Sequence, residues 1–344
     1  MQKIPTQQDL ILYTHGAAVF QILRAGVELD IFELLNKHSP LTLNRIATAT
    51  KLPQQSARTL LFGLAVLRLL VKSGDKYSYS KVIHNLFSGG EWRMFRRLVL
   101  LQAHIMYLGQ VDYVESLKRS KNIGVGRYPG KGKTIYERIA FDKKLKEIFF
   151  EYMEAYSEYA NPHLIRNINF SKVHSVLDVG GGAGGNAIAL AQAFPNTILT
   201  LLDLPIVAPL AKAKIKKHKL SNRIKFYPAD MFKNEFPKNQ DAVVFIHQLV
   251  IWSEKQNELL LKKAYRALNK GGQAVIFSSI SDDTEEGPLM AALDTVYFRS
   301  VAAGNGMIYP WKDYERLLRK IGFKKVERVR CKTWTPHGII IAHK

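Results

Sequence analysis

SVLDVGGGAGGNAIALAQAFPNTILTLLDLP, residues 175–205, is the most informative stretch of this 344-residue chain. A short apolar strand, 176–179, runs into a glycine-rich turn and then into a helix. Glycines in such a turn accept positive φ and let a ligand approach the backbone at the helix N-terminus. The next strand ends in Asp203, whose carboxylate can accept the two hydroxyls of a ribose. The stretch therefore predicts a site for an adenosine-containing cofactor.

Two cofactor classes fit these glycines. Gly180, Gly182 and Gly185 match the dinucleotide pattern G-x-G-x-x-G, which alone is a weak signal for NAD. The turn also reads G-x-G-x-G through Gly184, and the third strand ends in a further acid, Asp230. The second acid and a preceding helical domain favour S-adenosyl-L-methionine.

The second half of the chain alternates strand-like and helical segments. Short apolar or β-branched runs predict six strands, at SVLDVG, TILTLLD, IKFYPAD, AVVFIH, AVIFSS and GIIIAH. Strands alternating with helices indicate an α/β fold with a doubly wound parallel sheet covered on both faces. We place the boundary at residue 165, which gives a helical domain over 1–165 and a cofactor domain over 166–344.

The first half predicts helices in the order of a winged helix-turn-helix. Residues 10–35 read as an apolar helix, followed by a short helix over 43–50, a longer one reaching Val71, and a turn at 73–75. A DNA-reading helix offers polar side chains to the groove. Here the longer helix is almost wholly apolar beyond its first turn, so we favour a scaffold or dimer interface over DNA binding.

Charge and cysteine content constrain the partners and the compartment. Lys and Arg number 50 against 29 Asp and Glu, a net charge of +21, which keeps nucleic acid open as a partner. The basic residues are spread along the chain, however, as on a solvated surface, so nucleic acid is the less favoured partner. A single cysteine and the lack of an export signal or membrane span predict a cytoplasmic protein. The histidines show no metal-binding spacing, so no metal site is expected.

The chain resembles the class I methyltransferase family typified by plant caffeic acid and bacterial small-molecule O-methyltransferases. The likeness extends over nearly the whole chain, through LDVGGGAGG, LLDLP, ADMF, WSE, KGG and IGF. It implies a Rossmann-like methyltransferase sheet behind an all-helical winged-helix domain that forms a homodimer. It also implies that the cofactor binds at Gly180, Asp203, Asp230 and Met231, to which we add the neighbouring residues Gly182 and Leu204.

The family pattern breaks after the fourth strand of the second half. Relatives usually have His-Asp-Trp there, with the histidine as general base, whereas this chain has Val250 and Ile251 before Trp252. Valine cannot accept a proton. His247, three residues earlier at a strand end, is the best remaining base, although packing as a structural residue is the alternative. Asp294 matches the family acid that orients the base, so we predict His247 and Asp294 as the catalytic residues.

The acceptor pocket is predicted from position alone. The expected substrate-binding residues are Phe149, Met153, Trp252, Phe298 and Asn305.

Together these features predict methyl transfer from S-adenosyl-L-methionine to a small, aromatic or conjugated metabolite. O-methylation is the first hypothesis. General-base assistance contributes about 10² to 10⁴-fold in rate, and proximity contributes about 7–11 kcal/mol, so transfer can survive the loss of the histidine. A carbon acceptor, a catalyst that binds the cofactor without methylating, and a DNA-binding regulator remain as alternatives.

Overall fold

The computed structural model of the chain describes residues 5–333 and 335–344. Contacts divide these residues into two compact units. The first runs to Ile105 and includes Ile148–Ala155; the second comprises Met106–Glu147 and Tyr156–Lys344. The predicted boundary at residue 165 lies in a helix, Lys143–Asn167, that contributes to both units, and it stays a prediction.

The first unit is mainly helical. Its helices are α1 Gln7–Thr14, α2 Gly16–Glu28, α3 Ile31–His38, α4 Leu43–Thr50, α5 Gln54–Val66, α6 Lys81–Ser88 and α7 Trp92–Leu101. Three short antiparallel strands, in the order β1–β3–β2, supply the wing: β1 Leu41–Thr42, β2 Leu70–Ser73 and β3 Lys76–Tyr79. The core lies between the helices and this sheet and contains Phe32, Leu61, Leu64 and Trp92.

Two helix predictions in this unit were wrong in extent. Residues 10–35 form parts of three helices, because the chain turns at His15 and again at Asp30, which has φ +52°. The helix predicted to reach Val71 ends at Val66, since Arg68 adopts φ +57° and Leu70 begins a strand.

The second unit is built on a seven-stranded sheet in the order β6–β5–β4–β7–β8–β10–β9. The strands are β4 Ser175–Val179, β5 Ile198–Asp203, β6 Ile224–Pro228, β7 Gln240–Ile246, β8 Leu268–Ser279, β9 Lys325–Arg330 and β10 His337–His343. β4 to β8 are parallel, and β10 runs antiparallel to both β8 and β9. The predicted doubly wound α/β fold is confirmed.

The sheet separates two apolar cores. Neighbouring residues of a strand face opposite sides, and accordingly Val243 and Phe245 belong to one core while Val244 and Ile246 belong to the other. The sequence reading missed β9, because KVERVR is charged at four of its six positions and occupies an edge of the sheet.

Nine further helices follow α7 in the described part of the chain, of which α12, α13, α14 and α16 pack on strands of the large sheet. They are α8 Tyr107–Gln110, α9 Tyr113–Arg119, α10 Ile135–Arg138, α11 Lys143–Asn167, α12 Gly185–Ala193, α13 Ala208–Lys217, α14 Glu254–Ala267, α15 Leu289–Tyr297 and α16 Trp311–Ile321. Short 3₁₀ turns occur at Ile123–Arg127, Ile139–Phe141, Pro205–Val207 and Leu249–Ile251, and π-helical turns at Gln102–Met106 and Phe298–Ala302.

In the described part of the chain, no single helix is long and apolar enough to cross a membrane. Gln7–Thr14 and Gly16–Glu28 reach that length and composition only as a pair, with a bend of 61° between them.

Candidate active site

The glycine-rich turn follows β4 as the sequence predicts. Gly180, Gly182 and Gly184 all have positive φ, at +72°, +57° and +81°, and α12 begins directly afterwards. The Gly180 carbonyl accepts a hydrogen bond of 3.0 Å from Nε2 of Gln248, and a Cβ at position 180 would overlap that amide. The turn therefore requires glycine both for its backbone conformation and for this close approach.

Asp203 ends β5 and faces the glycine turn. One carboxylate oxygen accepts the Gly182 N–H and the other the Leu204 N–H, each at 2.7 Å. Burial raises the pKa of this carboxyl, while the two backbone hydrogen bonds oppose the rise. Each oxygen keeps a lone pair, so the carboxylate can also accept hydroxyl donors from a ligand.

A third acid, Asp178, was missed as a site residue by the sequence reading. It lies in β4 two residues before the turn, is fully buried, and neither carboxylate oxygen has a hydrogen-bond partner among the described residues. Burial and the nearby Asp203 raise the pKa of Asp178 to about 7. Its signal in the sequence was a lone charge inside an apolar strand. These unpartnered carboxylate oxygens lie beside a turn made of glycines. They could accept hydrogen bonds from a ligand with hydroxyl and ammonium donors, such as S-adenosylmethionine.

The loop after β6 carries the other predicted cofactor residues, Asp230 and Met231. Asp230 closes a turn by accepting the Phe232 N–H at 2.9 Å, and its second oxygen lies 3.5 Å from Nζ of Lys233. Met231 is half-buried against the apolar core. Asp230 is thus a turn-forming carboxylate, and it still has lone pairs for a ligand amino group.

Lys263 fixes this loop through hydrogen bonds to its backbone. Its side chain rises from α14 and is almost fully buried, at 4% exposure. Its Nζ donates to the carbonyls of Met231, Phe232 and Asn234 at 3.0, 2.8 and 2.8 Å. The contacts span about thirty residues of sequence, so only the fold reveals them.

Val250 is the residue that the sequence resemblance matches to the family's histidine. It lies in the 3₁₀ turn Leu249–Ile251 and is 3% exposed. It packs with Ile251, Ala291 and Ile308, and Phe298 lies against the same cluster. This wall of the site is therefore apolar, with no proton acceptor at position 250.

His247 lies at the carboxyl end of β7 in a strained conformation. Its φ is +56°, in the left-handed region that few non-glycine residues adopt, and its N–H donates to the Phe277 carbonyl at 2.8 Å. Its ring packs against Tyr156, Phe277 and His337, with centroids 4.7–5.3 Å apart. Nε2 is buried without a partner among the described residues. Burial, reinforced by His337, holds the pKa of His247 well below its usual value, so the imidazole is neutral.

Hydroxyl groups surround one side of this ring cluster. Tyr156, in α11, forms side-chain hydrogen bonds with Ser279 and Thr335. Thr335 Oγ1 lies 2.6 Å from Nδ1 of His337. Burial raises the pKa of the Tyr156 phenol, and the charge of Asp294 adds to that rise. His247 and Asp294 are therefore both close enough to Tyr156 to interact with it.

Asp294 lies in α15 on the same face as Ala291 and Phe298, three residues before it and four after. Burial raises the pKa of its carboxyl to about 6. Within residues 5–333 and 335–344 its carboxylate has no hydrogen-bond or ion-pair partner. The family's role for this acid, orienting a histidine base, has no counterpart at position 250, where the residue is valine, so the catalytic role of Asp294 stays a prediction.

The predicted substrate residues occupy different environments. Trp252 donates from Nε1 to Oε1 of Gln248 at 3.2 Å, and its ring meets Phe232 edge-on at 4.8 Å. Gln248, also missed by the sequence reading, therefore joins the cofactor turn to this indole. Phe298 packs beside the Val250 cluster, whereas Asn305 is exposed on a bend.

Phe149 and Met153 lie in the segment of α11 that belongs to the first unit, so their place in the pocket stays a prediction. In the described part of the chain no group of three or more metal-ligating side chains occurs.

Family models cover most of the chain. Residues 118–324 match the O-methyltransferase domain, and residues 11–83 match the O-methyltransferase dimerisation domain. The L-tyrosine C(3)-methyltransferase of Streptomyces lavendulae is 41% identical over 331 residues, which are 96% of this chain and 90% of that protein. The 3-hydroxy-5-methyl-1-naphthoate 3-O-methyltransferase of Streptomyces sahachiroi is 28% identical, over 94% of this chain and 91% of its own.

Solved structures agree. The apo S-adenosylmethionine-dependent methyltransferase SibL has a TM-score of 0.86 and 40% identity, covering 97% of this chain and 98% of its own. Human N-acetylserotonin methyltransferase, solved with its cofactor, has a TM-score of 0.82 at 21% identity, over 100% of this chain and 99% of its own, a likeness of fold. The resemblance and the cofactor predicted from sequence are confirmed. The chain belongs to the O-methyltransferase family and is an S-adenosylmethionine-dependent methyltransferase of small molecules that carries the family's dimerisation domain.

Proposed function

We propose that the enzyme methylates a ring carbon beside the hydroxyl of a small phenol, with tyrosine or a close analogue as the acceptor. The observation that carries the proposal is the buried, apolar Val250 at the position of the family base. In relatives the histidine at that position removes the proton from the oxygen that is methylated. The name of the 41% identical relative, a tyrosine C(3)-methyltransferase, supports a carbon acceptor. This revises the first hypothesis of O-methylation in favour of its alternative.

The cofactor residues have distinct tasks in this proposal. Asp203 would accept hydrogen bonds from the ribose hydroxyls, and Asp230 and Met231 would contact the adenine. Gly180 and Gly182, which lack side chains, would let the methionine part of the cofactor approach the protein backbone. Leu204 contributes its backbone N–H, which orients the Asp203 carboxylate, while its side chain is 44% exposed. S-adenosylmethionine supplies an activated methyl group on a sulfonium.

On the acceptor side, His247 would take the phenolic proton as a neutral imidazole. A phenolate shares its charge with the carbons next to the oxygen, so its formation makes those carbons nucleophilic. Trp252 and Phe298 would line the aromatic ring, and Asn305 would supply a polar contact. Phe149 and Met153 stay predicted substrate-binding residues. Positioning supplies most of the acceleration, since a correctly held pair of reactants gains about 7–11 kcal/mol.

The product distinguishes the alternatives directly. We would incubate the enzyme with tyrosine and cofactor carrying a ¹³C-labelled methyl group, and read the product by NMR and mass spectrometry. A ring-bound methyl carbon supports the proposal, and a methoxy carbon or absence of methyl transfer from tyrosine contradicts it. Phenylalanine, which lacks the hydroxyl, is the matched control and should remain unmethylated.

The cofactor site has its own test. Asp203→Ala should weaken calorimetric binding of S-adenosylhomocysteine by at least about 100-fold, because hydrogen bonds to a charged group contribute about 1.5–3 kcal/mol each. Glu235→Ala, at an exposed ion pair with Arg266, is the control and should bind normally. Unchanged affinity in a folded Asp203→Ala variant would show that Asp203 does not bind the ribose.

We also propose that the protein acts as a cytoplasmic homodimer without a nucleic-acid partner. Exposed apolar side chains on α1 and α5, including Tyr13, Phe62 and Val66, form the kind of surface that another protein covers. They lie in or beside the segment that matches the dimerisation domain. Sedimentation should show a dimer, and Phe62→Glu should shift it toward monomer. Sequence-selective DNA binding would contradict the proposal.

A further inference from the structure

Methylation of a phenol on carbon requires two proton acceptances, whereas methylation on oxygen requires one, although each reaction releases one proton overall. The hydroxyl proton is withdrawn as the ring becomes nucleophilic and is restored when the product phenol forms, and the proton on the attacked carbon leaves as the ring regains aromaticity. A site built for carbon therefore needs two acceptors, or one acceptor used twice.

Two acceptors without partners among the described residues lie near Tyr156 in the second unit. One is Nε2 of His247, whose ring centroid is 4.7 Å from that of Tyr156. The other is the carboxylate of Asp294, which interacts electrostatically with the same phenol. Nε2 of His247 is buried, and a buried acceptor left without a donor is costly, so in a site it is the expected state of a group that meets a donor on the substrate. Asp294 is only partly buried, so its carboxylate stays open to a ligand.

The surroundings of the two acceptors differ, and the difference orients the substrate. His247 packs against Tyr156, whose hydroxyl bonds Ser279 and Thr335, so polar groups lie on this side, where the phenolic oxygen would be placed. Asp294 follows Ala291 on the helix face that packs with Val250, an apolar surface suited to the ring. An aromatic ring laid against that surface presents its edge to the carboxylate.

We infer that the two protons are divided between these groups, with His247 taking the phenolic proton and Asp294 taking the proton from the methylated carbon. The inference rests on the proposed carbon methylation. A bond forms between the ring carbon and the methyl carbon, and the methyl–sulfur bond breaks with its electron pair left on sulfur. The C–H pair then returns to the ring, and the proton passes to the Asp294 carboxylate, from which it exchanges with water. The oxygen takes a proton back from His247, which regenerates the neutral imidazole and leaves the ring-methylated phenol.

The experiment compares His247→Gln and Asp294→Asn with tyrosine and with tyrosine deuterated at both positions beside the hydroxyl. Each variant should lose about 10² to 10⁴-fold in kcat, the usual contribution of one general base. In Asp294→Asn, loss of the ring proton limits turnover, so deuteration should slow kcat by a primary isotope effect. In His247→Gln and in the wild type, kcat should be insensitive to deuteration.

A fluorinated tyrosine, whose phenol is more acidic, supplies the converse readout. It should restore much of the activity of His247→Gln and little of that of Asp294→Asn. Equal isotope effects in all three proteins, or equal rescue of both variants, would overturn the division. Asp294→Glu, which keeps a carboxylate, should retain more activity than Asp294→Asn and show a smaller isotope effect; its failure to do so would also count against the division.

Substrate binding separates a proton acceptor from an anchor. Calorimetric titration of tyrosine into protein saturated with S-adenosylhomocysteine should give nearly the wild-type Kd for Asp294→Asn. Loss of binding would instead assign Asp294 to the substrate's ammonium group and overturn the inference. If the wild type forms no ring-methylated product, the proposed function itself fails; if it forms that product but the isotope effects do not differ, only the division of protons fails.

Discussion

Replacing Lys263 by methionine should loosen the loop that carries Asp230 and Met231. Methionine keeps the apolar stem of the lysine but removes the ammonium that bonds three loop carbonyls at 2.8–3.0 Å. A hydrogen bond to a charged group contributes about 1.5–3 kcal/mol, so the three amount to roughly 5–9 kcal/mol. Desolvation of the nearly buried ammonium offsets several kcal/mol of that gain. We expect the free energy of unfolding to fall by about 2–4 kcal/mol.

The cofactor affinity should fall as well, because the loop must be ordered again on binding. A cost of about 1.4 kcal/mol corresponds to a tenfold weaker Kd. Urea unfolding followed by tryptophan fluorescence measures the first effect, and calorimetric titration of S-adenosylhomocysteine measures the second. Lys262→Met is the matched control, since Lys262 is half-exposed and pairs with Glu258 on the surface at 2.7 Å. An exposed pair of this kind contributes about 0–1 kcal/mol.

The reasoning is refuted if Lys263→Met matches Lys262→Met in both measurements. Loss of stability with unchanged affinity would show that the loop retains its binding conformation without the lysine. In that case Lys263 would be a purely structural residue.

Three further outcomes follow from the site. Gly180→Ala should lower the thermal stability more than Gly182→Ala. Both glycines have positive φ, but only a Cβ at position 180 would overlap the Gln248 amide. Equal losses of stability would refute this steric argument. The raised pKa of Asp178, about 7, means that the folded chain binds this proton more tightly than the unfolded chain, so stability should fall as pH rises from about 4 to about 7. Asp178→Asn should flatten that part of the urea-unfolding profile, and an unchanged slope would contradict the assignment. Val250→His should lower stability by about 1–3 kcal/mol through overpacking and should yield methoxy product by NMR; ring methylation alone would refute the role given to the valine.

The sequence was informative where function depends on backbone geometry close in the chain. The glycine turn, the acid ending β5 and the absent histidine at Val250 were all readable, because a parallel sheet brings its strand ends to one edge. Lys263, Gln248 and Tyr156 were not, since each acts through contacts with distant residues. The end of α5 was misplaced because an apolar run does not reveal the left-handed turn at Arg68.

The two outer strands of the large sheet bear on self-association. β9 displays Lys325, Arg328 and Arg330 along one border, and Arg328 is tied to Glu315 at 2.7 Å. On the opposite border β6 ends in Pro228, which has no N–H to offer. Charged or proline-terminated borders resist the addition of a foreign strand. The charged side chains of β9 and the proline at the end of β6 thus oppose edge-to-edge pairing of this sheet with another chain, a route to fibrous aggregation.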